Sequence, residues 1–541
     1  MSARDVNASN SDAVFQSLCK HRESDSEIHS DEQTNKLAKN AIGDGAHADA
    51  QPEETTRAFL RSIVRIWVDM IPFDWEQPYN RQHSANGSGS GAVIGSDSDY
   101  LYILTAFHVI ENASRVHCSF ATLGRAIHDA VMLGACPDVD VALLRVSKSL
   151  LPQKGVDSVS VLQLGNSDRV QSGDEIRAVG FPLGENSVWS TNGVVAGRLA
   201  ETGQFQTDVA INHGNSGGPV IDKNDRLIGV VVSKHSRGSQ MGYVVPLAQF
   251  EHRLPRMRAL RVKRDLGAGN ALVRIPSLNA ALGTSTRPLL ESLDAPESLD
   301  GAFVRYILPG SALERAGVRS GDVLQMIGCP LDNYAQVATE FWNDRLHINA
   351  LLRRAPLPIE LPVRWWSSAQ KETRKALVLF DKPIELGLAE RYPPREPIDY
   401  ETFGGVVVMH LNIAHMRGNA KFRERYMYVA EDPKLFAKPP LVVTHVMPGS
   451  SLSGKALLEP LDCITRVNNE TVHTLDEYRR ALVQGAQTSA FVTWCTKDNQ
   501  KTALEYSAAL QETQVFSREI GFGESKTTKA IRRTLEKKIR R

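Results

Sequence analysis

Residues 62–246 form a succession of short apolar runs, each ending in a cluster of turn-forming residues. In the first run Val64, Ile66, Val68 and Met70 share one face at a period of two, which predicts a half-buried strand. No run in this stretch has the length and period of a long helix. Many short strands at this spacing predict an all-β sandwich or barrel. The other predicted strands are 101–105, 116–120, 141–146, 175–179, 193–196, 206–211, 227–232 and 243–245, and the Gly-rich stretch 86–91 is expected to be a flexible approach to them.

The chain has 541 residues, too many for one hydrophobic core, which predicts roughly three or four domains. A net charge of +1 provides no overall attraction to nucleic acid or to a membrane. Six cysteines are scattered without C-x-x-C spacing, so neither a disulfide framework nor a zinc site is indicated, and the thiols are expected to be reduced. The composition therefore excludes a small disulfide-stabilised or zinc-stabilised protein.

Residues 1–52 are rich in Ser, Asp, Asn, Glu and His and are expected to be disordered, because they have too little apolar surface to offset the entropy of ordering. They contain no apolar segment typical of a signal peptide, and no run approaches the ~18 apolar residues of a membrane helix. These features predict a soluble intracellular protein without a transmembrane segment. The all-β domain is assigned to 53–250, and the basic stretch 251–268 is interpreted as a solvated linker, since no aromatic residues accompany its charges.

An internal repeat follows the linker. The segment 303–311 recurs as 442–450, each with a Pro-Gly-Ser turn after a strand-like run, and Asp322 recurs as Asp462 at nearly the same offset. Such agreement indicates a duplicated domain. The predicted boundaries are 269–382 for the first copy, 383–512 for the divergent second copy and 513–541 for a basic C-terminal tail.

Local signals predict helices within the two copies. Ser311 is placed to cap the N-terminus of a short helix that ends at Gly317 in a left-handed conformation. In the second copy, Leu475, Tyr478 and Leu482 lie at helical spacing. In the basic tail, Ile531, Leu535 and Ile539 lie along one helical stripe, which we expect to be a solvated, frayed helix. Contact of this tail with nucleic acid or anionic lipid stays open at this point.

The stretch 207–219 carries the strongest chemical signal of the chain. Ser216 stands among Gly214, Gly217 and Gly218, between two apolar runs. Glycines let the backbone approach a ligand closely, and a tight turn can aim consecutive N–H groups at one point beside a hydroxyl. Acyl transfer needs such a nucleophile together with donors for the oxyanion. A Gly-rich hairpin that merely contains a serine is the alternative.

A nucleophilic serine requires a base and an orienting carboxylate, and both lie upstream. His108 follows a predicted strand, and Asp140 precedes the buried strand 141–146, where an unpaired carboxylate would be unfavourable. The order His, Asp, Ser is that of double-barrel serine proteases. The sequence therefore predicts catalysis by Ser216, His108 and Asp140, with Asp138 as the rival carboxylate. The predicted oxyanion hole consists of Gly214, Asn215 and Ser216.

Residues of about 60–250 resemble the trypsin-like domain of the HtrA/Deg (protease Do) serine protease family, and the two copies resemble the PDZ domains that follow it. The match extends over about 60–510, and its elaborated form is similar to plant-type Deg proteases. The resemblance implies a mainly β fold, with a trypsin-like double β-barrel followed by two α+β PDZ domains. The pieces that carry it are 89–91, 104–109, 140–144, 179–184, 190–195, 208–219 and 242–246.

Three departures from the family pattern affect the expected sites. Phe107 replaces the small residue usual before the histidine, and His213 replaces the usual proline before Gly214. The first PDZ copy has 277–279 (Ser-Leu-Asn) where a glycine-containing carboxylate-binding loop is expected. In the second copy Gly404, Gly405, Val406 and Val407 are the candidates for binding a peptide C-terminus by strand addition.

The combined expectation is an ATP-independent serine endopeptidase that cleaves unfolded or damaged proteins, with PDZ domains that capture substrate or regulate cleavage. The resemblance implies a homotrimer or a multiple of trimers. No cofactor, no metal and no nucleic-acid partner is expected. The alternatives are a holdase chaperone with little turnover and a scaffold that presents the PDZ pair on an inactive protease fold. The sequence contains no motif that identifies the physiological substrate.

Overall fold

The structure is a computed structural model and describes residues 58–80, 82–182, 187–212, 214–234, 241–260, 272–339, 345–381, 387–393, 395–453 and 457–539. The segment predicted to be disordered, 1–52, lies outside the described residues, as do residues 261–268 of the predicted linker and His213.

The first barrel is closed by six antiparallel strands in the order β1-β2-β3-β6-β5-β4. Its inward-facing residues are almost all Val, Ile, Leu, Ala and Phe, and they form one buried core with residues from the second barrel and Tyr392. The strands are β1 (Ile63–Met70), β2 (Ala85–Ser96), β3 (Tyr100–Ala106), β4 (Ala113–Phe120), β5 (His128–Cys136) and β6 (Val141–Ser147).

The second barrel is closed in the order β10-β11-β12-β9-β8-β7 and has its own interior core around Val220, Ile228 and Val231. Two closed barrels confirm the predicted mainly β, trypsin-like double β-barrel class. The strands are β7 (Glu175–Gly180), β8 (Trp189–Arg198), β9 (Phe205–Thr207), β10 (Pro219–Ile221), β11 (Leu227–Lys234) and β12 (Gly242–Pro246).

Two local predictions in the barrels are wrong. The stretch 86–91 is not a flexible approach but part of β2, because its glycines allow close packing: a Cβ on Gly91 would lie 2.7 Å from the Leu104 carbonyl oxygen. The strand predicted for 206–211 ends at Thr207. There Asp208 turns the chain by accepting a hydrogen bond from the Val194 amide at 2.7 Å, so the following residues leave the sheet.

The first C-terminal sheet has the order β13-β14-β15-β19-β20, with β16 paired to β15 and a separate pair β17-β18. Ser311 accepts a hydrogen bond from the Glu314 amide and caps a short helix, and Gly317 adopts a φ of +100°, which confirms both local predictions. The strands are β13 (Ala280–Gly283), β14 (Ala302–Ile307), β15 (Val323–Ile327), β16 (Cys329–Pro330), β17 (Gln336–Ala338), β18 (Arg345–His347), β19 (Ile359–Ser367) and β20 (Glu372–Phe380).

The second C-terminal sheet has the order β21-β22-β23-β24-β26-β27, with β25 paired to β24. Strand β23 of this sheet corresponds to β14 of the first C-terminal sheet, as the repeat predicts. The insertion of three helices between β22 and β23 was not predicted. The strands are β21 (Glu401–Phe403), β22 (Val406–His410), β23 (Leu441–Val446), β24 (Cys463–Val467), β25 (Glu470–Thr471), β26 (Phe491–Thr496) and β27 (Lys501–Glu505).

Helices are short within the barrels and longer towards the C-terminus. The predicted helix at 475–482 is confirmed: Thr474 and Glu477 form a capping box, and Leu475, Tyr478 and Leu482 are buried. The α-helices are α1 (Phe107–Ile110), α2 (Gln153–Val156), α3 (Leu254–Ala259), α4 (Arg287–Ser292), α5 (Ala312–Arg315), α6 (Ile348–Leu352), α7 (Ile413–Gly418), α8 (Ala420–Glu431), α9 (Pro433–Ala437), α10 (Leu475–Thr488), α11 (Tyr506–Ile520) and α12 (Lys526–Ile539).

The C-terminal tail is not a solvated, frayed helix. Helix α11 runs across the predicted boundary at 512, and α12 packs on α10. Ile531 is fully buried in the core of the second C-terminal sheet, Leu535 packs against that core, and only Ile539 of the apolar stripe is exposed. The apolar stripe is covered because the sheet domain provides a face for it, which the sequence pattern of the tail cannot reveal.

The candidate peptide-binding residues of the second copy lie in a paired part of the sheet. Gly404 and Gly405 form a tight turn between β21 and β22, and both have positive φ. Val406 pairs with Phe403 on one side and with Val446 on the other. Both edges of this part of β22 are paired, so the addition of a peptide as a strand, which stays a prediction, requires β21 to leave β22.

Two further observations bear on the class of protein. No helix among the described residues is long and apolar enough to cross a lipid bilayer. Cys118, Cys136, Cys463 and Cys495 are free and buried.

Candidate active site

His108 and Asp140 form a directly bonded pair at the edge of the first barrel. The Nδ1 atom of His108 lies 2.7 Å from Oδ2 of Asp140, and the backbone N–H of His108 donates to Oδ1 of the same carboxylate at 2.8 Å. One carboxylate therefore holds both the ring and the main chain of the histidine. The His108 side chain is 38% exposed, so part of the imidazole is open to solvent.

The barrel topology explains why these two residues meet. Strands β3 and β6 are neighbours, and Ala106 at the end of β3 pairs with Val141 at the start of β6. His108 follows β3 in helix α1, and Asp140 precedes β6 with a φ of +56°. Aspartate tolerates this left-handed conformation better than most residues. The Asp140 carbonyl also accepts a hydrogen bond from the Phe107 amide at 3.1 Å, which fixes the start of α1.

The environment of His108 changes its proton affinity. Burial alone lowers the pKa of His108, but the hydrogen bond and charge of Asp140, together with the charge of Glu111, outweigh burial, so the pKa is raised from its ordinary value of 6.5. A carboxylate paired with imidazole favours the protonated ring. The pair can therefore accept a proton and stabilise the resulting imidazolium, as a general base must.

Ser216 lies on the turn before β10, packed directly against the first barrel. Its carbonyl oxygen accepts a hydrogen bond from the Ser90 amide at 2.8 Å. A Cβ on Gly217, whose φ is +81°, would lie 2.8 Å from the Ala106 amide nitrogen, one residue before α1 begins. A Cβ on Gly89 would touch both Val109 and the Ser216 carbonyl oxygen. The turn and α1 thus lie on either side of β2, at the junction of the two barrels.

The turn itself is shaped to present backbone N–H groups. Gly214 has a φ of +100°, and the Asn215 amide donates to the Asn212 carbonyl at 3.0 Å. The Asn215 carbonyl accepts from the Gly218 amide at 2.9 Å. These bonds leave the amides of Gly214 and Ser216 as the candidate donors for an oxyanion. The Asn215 side chain is buried, and its Oδ1 atom has no hydrogen-bond partner among the residues that the structure describes.

Ser90 ties this turn to the first barrel. Its hydroxyl donates to the Gly214 carbonyl at 2.6 Å and accepts from the Phe181 amide at 2.9 Å, and the residue is fully buried. The Ser90 carbonyl in turn accepts from the Thr105 hydroxyl at 2.8 Å. The Gly89-Ser90-Gly91 stretch carried the family resemblance, but sequence reasoning assigned no role to its hydroxyl. A buried serine that holds the Gly214 carbonyl limits rotation of the adjoining peptide planes.

We expect Ser90→Ala to lower kcat about tenfold with little change in KM. The change leaves the Gly214 carbonyl without its buried donor, so the turn can rotate, whereas complete loss of an oxyanion donor lowers kcat about 10²–10³-fold. Steady-state kinetics on a peptide substrate measures the effect. Ser88→Ala is the matched control, because Ser88 is exposed on the same strand. Equal kcat for the two variants would contradict the role assigned to Ser90.

The raised pKa of His108 leads to a second expectation. Only the neutral imidazole accepts a proton, so the reaction of Ser216 with a fluorophosphonate should slow tenfold per pH unit below the pKa of His108. Since that pKa is raised, the midpoint should lie above 6.5. The second-order labelling rate measured from pH 5 to pH 9 gives the midpoint. A midpoint at or below 6.5 would contradict the charge effect of Asp140.

The structure separates other predicted candidates from this pair. Asp138 does not face His108; its carboxylate lies 3.2 Å from Nη1 of Arg274 and accepts from the Ile275 amide at 3.1 Å. Among the described residues, Ser216 and His108 are not joined by a hydrogen bond; such bonds are often long in proteins without substrate. No group of three or more His, Cys, Asp or Glu in the described part of the chain could hold a metal ion.

Phe107, an unexpected residue beside the histidine, has a structural partner. It is 3% exposed and stacks edge-to-face on Tyr392, with ring centroids 5.0 Å apart. Tyr392 belongs to the segment before the second C-terminal sheet, so no local sequence signal near His108 could have identified this contact. The large side chain at position 107 therefore fits a pocket completed by a distant part of the chain.

A double β-barrel that carries His, Asp and Ser at its junction defines the class of trypsin-like peptidases. Residues 89–230, which include all three candidates, match the family model described as "Trypsin-like peptidase domain". This stretch is therefore similar to trypsin-like peptidase domains, and two relatives of the chain carry the name of a DegP-type serine endoprotease.

The relatives align with part of the chain. The chain is 30% identical over 276 residues to "Probable periplasmic serine endoprotease DegP-like" of Marinomonas sp. (strain MWYL1), covering 49% of this chain and 53% of that protein. It is 30% identical over 265 residues to "Periplasmic serine endoprotease DegP" of Escherichia coli (strain K12), covering 47% and 51%. The chain thus spans about half the length of the curated relatives it matches. The solved structure "HtrA-type protease AlgW with decapeptide" aligns with a TM-score of 0.44 at 21% identity, covering 60% of this chain and 98% of that one.

Proposed function

We propose that the protein is a serine endopeptidase that cleaves unfolded or damaged polypeptides without ATP. The observation that carries this proposal is the contact of 2.7 Å between His108 Nδ1 and Asp140 Oδ2, at the barrel junction where the Ser216 turn packs. A histidine oriented by a carboxylate beside a serine on a turn with free amides is the arrangement that acyl transfer requires.

The proposed reaction begins with attack of the Ser216 hydroxyl oxygen on the scissile carbonyl carbon. His108 accepts the hydroxyl proton, and Asp140 stabilises the imidazolium that forms. The amides of Gly214 and Ser216 donate hydrogen bonds to the oxyanion. His108 then donates its proton to the amide nitrogen, the C–N bond breaks, and the amine leaves an acyl ester on Ser216.

The second half of the reaction uses the same groups. Water loses a proton to His108 and attacks the ester carbonyl, and a second oxyanion forms at the same amides. Its collapse returns the proton to Ser216 and releases the carboxylic acid product. Each proton is therefore borrowed and returned by His108, and no further reagent is consumed.

A fluorophosphonate probe tests this proposal. The protein should react with one equivalent, and peptide mass spectrometry should locate the adduct on Ser216. Unfolded casein should be cut at internal peptide bonds, and folded, disulfide-intact albumin should be cut far more slowly. Absence of both the adduct and casein cleavage would overturn the proposal.

We further propose that the C-terminal domains are of the PDZ type and take part in substrate capture, and that the protein assembles as a trimer or a multiple of trimers. The duplicated strand and Pro-Gly-Ser pattern supports the first point, and β13 is an edge strand of its sheet. Multi-angle light scattering tests the assembly. An intracellular location stays a proposal as well, since the relatives named above are periplasmic; fractionation of the source cells tests it.

A further inference from the structure

Asp138, the carboxylate that does not orient His108, begins a series of partly buried contacts that leads to the C-terminal half. Its Oδ1 atom lies 3.2 Å from Nη1 of Arg274, and the Asp138 backbone carbonyl accepts from Nη1 of Arg353 at 2.6 Å. The side chains of Asp138 and Arg274 are 23% and 19% exposed. The turn just before Asp140 is therefore held by two arginines from outside the barrels.

Arg274 extends the chain of contacts to Glu396. Its Nη2 atom donates to Oε1 of Glu396 at 2.9 Å, and the Glu396 side chain is 15% exposed. The other carboxylate oxygen accepts a hydrogen bond from the Tyr392 amide at 3.0 Å. Glu396 thus fixes the backbone of Tyr392 relative to the Asp138 turn. A carboxylate with two partners in a partly buried site has a defined position.

Tyr392 connects this series of contacts to His108 through Phe107. Its ring meets Phe107 edge-on, with an interplanar angle of 90°, and both residues are buried. Phe107 precedes His108 directly, and its amide donates to the Asp140 carbonyl. The proposed general base and its carboxylate partner are consequently held from both sides. Asp140 is held through the Asp138 turn, and His108 is held through Phe107.

We propose that Tyr392 and Glu396 are positioning residues that keep His108 and Asp140 in the geometry required for general-base catalysis, so that docking of the segment that carries these two residues sets turnover. This proposal rests on the proposed function. The segment lies directly before the second C-terminal sheet, so any movement of that domain that displaces Tyr392 loosens α1. A displacement of about 1 Å can lower a rate about 10²-fold, because proton transfer depends steeply on geometry.

Tyr392→Ala tests the proposal. We expect kcat for a peptide substrate to fall about 10²-fold, with KM within about twofold of wild type. Tyr392→Phe keeps the ring contact and should restore kcat. Tyr334→Ala, which removes a tyrosine that is 64% exposed, is the matched control for loss of an aromatic side chain. A Tyr392→Ala variant with the kcat of the wild type would overturn the proposal.

A second variant and a second measurement keep the proposal testable if Tyr392→Ala does not fold. If circular dichroism shows that Tyr392→Ala is unfolded, Glu396→Gln decides, with an expected fall in kcat of about tenfold; an unchanged kcat there would overturn the proposal. Histidine-selective NMR, assigned with His108→Gln, follows the titration of His108 without turnover. Loosened pairing with Asp140 should move that titration to lower pH in Tyr392→Ala, and an unmoved titration would count against positioning. If the wild type neither labels nor cleaves, the proposed function fails, while the NMR comparison still judges the positioning.

Discussion

Ser216→Ala is expected to lower kcat for casein or peptide cleavage about 10⁶-fold, the loss that follows removal of the nucleophile in a serine protease. The oxygen that would form the acyl ester is gone, and neither the amides of the turn nor His108 can replace it. The turn should keep its shape, because Gly214 and Gly217 provide its positive φ values, and backbone hydrogen bonds from the Asn215 amide to Asn212 and from the Gly218 amide to Asn215 hold it. Steady-state proteolysis and loss of the fluorophosphonate adduct measure the effect.

The same variant separates peptide-bond cleavage from the binding of unfolded protein. Ser216→Ala should still bind unfolded casein and suppress its aggregation, because those contacts do not involve the nucleophile. Ser88→Ala, an exposed serine on β2, should cleave at the wild-type rate. Cleavage by Ser216→Ala at more than a trace of the wild-type rate would show that another residue is the nucleophile.

The double barrel could be predicted because most of its strands show a local alternation of apolar and polar residues. The period-two face of Val64, Ile66 and Val68 is buried as expected, and the observed strands extend most predicted ones by only a few residues. Alternation of apolar and polar residues reports which face of a strand is buried, and it needs no knowledge of the partner strand.

The conformation of glycine-rich and turn segments was harder to predict from the sequence, because it depends on the residues that pack against them. Residues 86–91 are a strand, since Gly89 and Gly91 admit the neighbouring chain where a side chain could not fit. Conversely, 208–211 have strand-like composition, yet Asp208 bonds to the Val194 amide and diverts the chain. In both cases a contact with a residue distant in sequence outweighs local propensity.

The candidate triad stays a prediction, and the sequence points to it for a different reason. His108, Asp140 and Ser216 each stand at a strand end or in a Gly-rich turn, where sequence pattern alone marks a constrained position outside the barrel strands. The choice between Asp138 and Asp140, which the sequence leaves open, depends on side-chain direction. Asp140 adopts a left-handed conformation that points its carboxylate to His108, whereas Asp138 meets Arg274.

Contacts between domains could not be predicted from the chain. Nothing near Phe107 signals Tyr392, and nothing in the basic tail signals that Ile531 is buried against the second C-terminal sheet. The Gly404-Gly405 turn likewise has the composition of a peptide-binding loop, but β21 pairs with the edge that a peptide would need. The sequence can identify a segment with the composition of a binding surface. Only the fold shows whether another part of the same chain already covers that surface.

Asp140→Asn is expected to lower kcat about 10⁴-fold while the protein stays folded. The Asp140 carboxylate accepts hydrogen bonds from both the backbone amide and Nδ1 of His108. In the variant the amide oxygen can keep the backbone bond, but its NH₂ group then faces Nδ1. A donor at that position favours the tautomer with the proton on Nε2, which cannot accept the proton of Ser216. Kinetics on a peptide substrate measures the effect, with KM expected to change little.

Asp138→Asn is the matched control, because it makes the same chemical change two residues away. Its amide can still accept from the Ile275 amide and retains a neutral contact with Arg274, so we expect a fall in kcat of about tenfold at most. The contrast between about 10⁴-fold and about tenfold follows from geometry alone: one carboxylate orients the base, and the other holds the turn that carries it. An active Asp140→Asn beside an inactive Asp138→Asn would reverse the assignment. It would also show that the turn from Pro137 to Asp140 rearranges when substrate binds.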